Sequence, residues 1–166
     1  MKLSPLERAL NYPYHCPDFS FLIARGRAIP VSEIDPENLL NSRIDGRRIS
    51  DQFPTWNPTA RVVACGSNRA PTQLIRKFGK EWPAPVLSVR AQLVGWDVVR
   101  SAHITSYGTI PAALIQCPGA TVAISIQLLD EQSLEHMHRS EALGINYTYE
   151  RIDGVELARA PIPDCM

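Results

Sequence analysis

Two stretches of this chain carry residue types suited to chemistry. The first runs from Arg61 to Gly79 and contains Cys65-Gly66-Ser67-Asn68. Val62, Val63 and Ala64 suit a short buried strand, because β-branched residues fit an enclosed pleat. Cys65 to Asn68 then break the apolar run with small and polar turn residues. Pro71 fits the first turn of a helix, where its missing N–H costs nothing. A strand–turn–helix of this kind aims unpaired backbone N–H groups at one spot, which can hold a carboxylate or a phosphate. Pattern alone favours an ordinary tight connection. The second stretch, Asp130 to Glu141, ends in a carboxylate that helical spacing alone would leave as a solvated helix end.

The nucleophiles in these stretches each have two readings. Cys65 is a buried small hydrophobe at a strand end, or a thiol activated by the helix start that follows it. The second reading needs a base such as His103, whose position also suits a histidine on a sheet surface. Ser67 lacks an evident Ser–His–acid set. The histidines do not read as ligands: His136 and His138, two apart, fall on different sides of a helix. No metal site and no cofactor are expected.

These residues must be positioned by the elements around them. Leu74, Ile75 and Phe78 form one apolar helical face, and Gly79 ends that helix. Val86 to Val89 and Ala91 to Arg100 read as strand, with Gly95 marking a bulge or a close backbone approach. Ile110 to Cys117 meets Pro118-Gly119, a strong turn pair. Beyond it Val122, Ile124, Ile126 and Leu128 alternate with polar or small residues, which predicts a strand paired as a hairpin with the preceding one. Asp130 is placed to cap a helix carrying Leu134 and Met137, with Ser133 as a competing cap and Gly144 at its end. Tyr147, Tyr149 and Ile152 begin a last strand, turned at Asp153-Gly154. The class is therefore α+β with a largely antiparallel sheet.

Residues 1–58 differ in character. Prolines recur through them, so long regular elements are not expected; a short helix is expected at Leu6–Leu10 and another within Ser32–Leu40. The aromatic and apolar residues from Tyr12 to Ile23 belong against a core. The division is an N-terminal arm, 1–58, packed on a domain of 59–166. The run Arg43 to Arg48, interrupted by Asp45, reads as a solvated loop.

Composition narrows the function classes. The 166 residues are 45% hydrophobic and 20% charged, and 17 basic residues balance 17 acidic ones. No net field steers such a chain to nucleic acid or to acidic membranes. No apolar run approaches the length of a bilayer span, and four scattered cysteines without C-x-x-C spacing fit a reducing, cytoplasmic setting. The expected partner is a small molecule, with no nucleic acid and no membrane, and with the oligomeric state left open.

Taken together, the two stretches resemble the γ-glutamylcyclotransferase-like family over about residues 60–156. That family opens its core with a strand leading into Tyr-Gly-Ser-Asn-Leu and a helix. It continues with a Pro-Gly turn, a strand ending in Leu, a helix of the form Leu-x-x-Leu-Asp-x-x-Glu-Gly and a Tyr-x-Arg strand. Gly66-Ser67-Asn68, Pro118-Gly119 through Leu129, Glu141 and Tyr149-Glu150-Arg151 stand in those places. The chain departs from the pattern at Cys65, where the family has tyrosine, and at Ala142, where it has glycine. The resemblance implies a small, mostly antiparallel β-barrel flanked by helices. It implies a pocket in which Cys65, Gly66, Ser67, Asn68 and Tyr149 bind a γ-glutamyl group. Glu141 is then the general acid/base that cyclises the group to 5-oxoproline with release of an amine. The alternative is a non-catalytic ligand-binding or interaction module on the same fold.

Overall fold

The apolar runs after Pro85 become the two longest strands of an antiparallel sheet. The computed structural model describes residues 4–12, 14–102, 104–105, 108–141, 148, 150–153 and 155–157. The early elements are α1 Pro5–Leu10, β1 Phe21–Ala24, β2 Arg27–Pro30, β3 Arg43–Ile44, β4 Arg47–Arg48 and α2 Ile49–Gln52. They are followed by β5 Ala60–Ala64, α3 Pro71–Phe78, β6 Val86–Arg100, β7 Ala112–Leu129, α4 Glu131–Ser140 and β8 Val155–Leu157. Among the described residues the main sheet has the order β2-β1-β6-β7-β5, with β8 beside β6, while β3 and β4 form a separate pair. Every ladder is antiparallel. The class is α+β.

The sheet is covered on both faces. Val89, Ala91, Leu93, Ile124 and Ile126 point to one side, where Leu39, Ile44, Ile49 and Trp56 close over them. Phe21, Ile23 and Leu129 point to the other, against Leu74 and Phe78 of α3 and Met137 of α4. The alternation in β1 is therefore apolar on both sides: all four of its residues are buried. Residues 21–30 are not laid over the sheet but add two strands to it, with Leu22 opposite Leu87. Among the described residues no helix is long and apolar enough to cross a membrane.

Three sequence expectations are corrected. Ile110–Cys117 and Thr121–Leu128 do not form a hairpin with each other; the first, from Ala112 on, and the second both lie in β7 and both pair with β6. The register passes from Trp96 opposite Gln116 to Val94 opposite Thr121. Pro118-Gly119 thus sits in an excursion of one long strand, facing Gly95. Proline has no N–H for a ladder, and Gly95 and Gly119 have φ of 79° and 85°, so a bulge is the place that tolerates them. Strand β6 is long enough to offer partners to both halves, which removes the need for a turn. Within Ser32–Leu40 the only helical geometry is the start of a 3₁₀ turn at Leu39–Asn41. Arg43–Arg48 is not a solvated loop but a tight hairpin. Its Asp45-Gly46 corner has φ of 49° and 74°, the left-handed pair that a two-residue turn between twisted strands requires.

Candidate functional site

Strand β5 delivers Cys65 and Gly66 to a 3₁₀ turn at Ser67–Arg69, and α3 starts at Pro71. The N–H groups of Arg69 and Ala70 close the turn on the carbonyls of Gly66 and Ser67, each at 3.0 Å. Those of Ser67 and Asn68 donate to nothing among the described residues. The turn is pinned from below: Gln127 of β7, only 1% exposed, donates its amide to the Asn68 carbonyl at 2.6 Å. The glycine at position 66 permits a close approach to β7, since a Cβ there would meet the Cβ of Ala112 at 3.1 Å.

The second stretch reaches this turn from α4. Asp130 caps α4 by accepting from the Ser133 N–H at 2.8 Å, and Glu141 is the residue that closes it. A carboxylate there faces the negative end of the helix dipole, so it needs other support. Asn68 supplies some, donating Nδ2 to Glu141 Oε1 at 3.0 Å. Lys77, on the second turn of α3, supplies more: its Nζ pairs with the same oxygen and donates to Ser140 Oγ at 3.0 Å. The Lys77 side chain is 5% exposed and that of Glu141 32%. Burial lowers the Lys77 pKa to about 7, with the Arg76 cation adding to the effect; the Glu141 carboxylate works in the opposite direction. Beneath them the Met137 sulfur lies 3.4 Å from Lys77 Nζ and 3.9 Å from Asn68 Nδ2. His136 Nε2 donates to the Lys77 carbonyl at 2.8 Å, and its ring packs on Trp82 with centroids 4.5 Å apart. The lysine is thus held at both its backbone and its amine.

The expected site residues are divided by the sheet. Asn68 and Glu141 meet on the helical side. Cys65 packs instead with the opposite core face, and with Gly66 it borders a cleft of about 310 Å³ that also touches Tyr12, Cys16, Arg69 and Arg100. Ser67 lies between them, half-buried, with its carbonyl used inside the turn. Tyr149 and His103 lie outside the described residues. Burial pushes the Cys65 thiol up, with Arg69 opposing more weakly, which is the direction away from an activated thiolate. Lys77, Gln127, Arg69 and Arg100 were not anticipated. For Lys77 a signal existed: it lies three residues after Leu74 and so on the buried face of α3, an unusual place for a lysine.

Set against protein-family models, curated proteins and solved structures, the chain finds no match in any of the three.

Proposed function

We propose that the chain is a γ-glutamylcyclotransferase-like enzyme, its sheet forming the wall of that family's small barrel, and that Glu141 is its general acid/base. The observation that carries the reading is the contact of Glu141 with Asn68, 73 residues away in sequence. The reaction needs that proximity, because the α-amine and α-carboxylate of a γ-glutamyl group share one carbon. The unpaired N–H groups of Ser67 and Asn68 bind the carboxylate. Glu141 takes a proton from the α-ammonium, and the freed amine attacks the γ-carbonyl carbon. The new C–N bond closes the ring, the ring nitrogen releases its second proton to solvent, and the old C–N bond breaks as Glu141 returns its proton to the departing amine. The products are 5-oxoproline and the free amine. Lys77 and Asn68 hold the carboxylate in place before the substrate arrives. Orientation of a folded substrate makes the ring closure an intramolecular step, worth on the order of 7 kcal/mol or more.

The test is incubation with a panel of γ-glutamyl amines and peptides, reading 5-oxoproline. Glu141→Gln keeps the shape and loses the basicity, so turnover falls by about 10²-fold or more while binding persists. Cys65→Ala keeps turnover. Equal turnover by wild type and Glu141→Gln ends the proposal. One observation favours the non-catalytic reading: the carboxylate is already engaged by Lys77. Under that reading no member of the panel is turned over, and Glu141→Gln acts only on stability.

A further inference from the structure

The cleft beside Cys65 and Gly66 has a chemistry of its own. Its sides come from three places: the N-terminal segment at Tyr12 and Cys16, the turn at Gly66 and Arg69, and the far ends of β6 and β7. Arg100 and Ala112 are cross-strand partners, so both point to the same face of the sheet. Val98, two residues before Arg100 on β6, lies on that face as well. The Tyr12 hydroxyl accepts from the Ala112 N–H at 3.1 Å and ties the N-terminal segment across this end of the strands.

Among the described residues the lining is apolar with two cations and no carboxylate. Val98, Val99 and Ala112 supply aliphatic surface, Arg69 and Arg100 the charge, and no described Asp or Glu borders the space. Among the described residues neither arginine is paired with a carboxylate. The Nε of Arg69 is buried and donates to nothing there. Arg100 has a single contact at the outer limit of a hydrogen bond, Nη1 to the Ile110 carbonyl at 3.5 Å. A buried guanidinium donor without an acceptor is costly unless something fills the position. The two thiols do not supply the missing charge. Burial pushes both Cys16 and Cys65 up, so each is neutral near pH 7.

We infer that this cleft binds a small organic anion, with a carboxylate or phosphate head between Arg69 and Arg100 and an apolar body against Val98, Val99 and Ala112. The volume, about 310 Å³, is at the small end of the range for ligand sites, about 300–1,000 Å³. Two guanidiniums converging on one oxyanion give charge-assisted hydrogen bonds, about twice as strong as neutral ones. The inference does not depend on cyclisation, since Glu141 does not border the cleft.

Calorimetric titration of the full chain tests it with three probes: 4-phenylbutyrate, 3-phenylpropyl phosphate and the uncharged 4-phenylbutanamide. At least one anion binds, and the amide binds at least about tenfold more weakly. The better anion identifies the head group. Arg69→Gln and Arg100→Gln each weaken binding of that anion by about tenfold, whereas Glu141→Gln leaves it unchanged. Should an arginine variant fail to give the wild-type unfolding transition, raising the salt on the wild type decides, because an ionic contact at a half-open cleft weakens with screening. Absence of binding by both anions at millimolar concentration overturns the inference. So does an amide that binds as well as the anions, or affinity unaffected by both arginine substitutions and by salt.

Discussion

A lysine whose side chain is 5% exposed, paired with a half-buried glutamate, gives the molecule a pH dependence whose direction follows from burial. Burial lowers the Lys77 pKa from 10.5 to about 7, so between those values the unfolded chain holds a proton that the folded chain has released. Stability therefore rises with pH across that window; as pH falls, the contribution is lost between 10.5 and about 7 and no longer changes below that. Lys77→Met keeps the apolar stem and removes the titration. Urea midpoints measured at about pH 7 and about pH 10 should rise for wild type. For Lys77→Met the rise should be smaller by most of that increment. An equal rise in both proteins would place the titrating group elsewhere.

At the level of elements, the close approach of the turn to β7 is testable. Gly66→Ala puts a Cβ 3.1 Å from that of Ala112, so one of the two backbones must give by a few tenths of an ångström. We expect a loss of about 1 kcal/mol in chemical denaturation, as for mild overpacking, and recovery of much of it in Gly66→Ala/Ala112→Gly. An unaltered midpoint in Gly66→Ala would show that the strand end yields freely. The same elements show what was legible in the sequence. Strand β5, the turn, α3 with Gly79 as its cap, and α4 with Asp130 as its cap all follow from local residue types. The Pro118-Gly119 excursion was not legible, because whether such a pair turns or bulges depends on the length of β6, a partner read separately. The Asp45-Gly46 corner is legible: Asp-Gly between short runs is the strongest short-range hairpin signal, even with arginines on either side. At the site, local pattern placed Glu141 at a helix end and the resemblance brought it to the turn. Its pairing with Lys77 is a meeting of two helices that no single stretch encodes.

On the scale of the whole molecule, the first fifty residues do structural work in the sheet and over it. Strand β1 lies between β2 and β6, and Leu39, Ile44 and Ile49, exposed by 6%, 1% and 0%, close one core face. Deleting 1–50 uncovers that face and leaves the edge of β6 unpaired, so the shortened chain should aggregate or lack a cooperative melt in calorimetry. A soluble core with a sharp transition would show the rest of the sheet to be self-sufficient. The strand order also sets a timetable. Leu22 must wait for Leu87, and Val62 for Gln127, so the pairings that close the sheet are distant in sequence. Such topologies fold slowly, in about milliseconds to seconds, because the loop entropy is lost before the contacts are gained. During synthesis, at about 5–20 residues per second, the nascent chain holds Phe21–Ala24 for seconds with only β2 beside it. The Arg25-Gly26 corner, with φ of 51° and 70°, lets that first hairpin form at once and occupies one edge of its most apolar strand until β6 emerges.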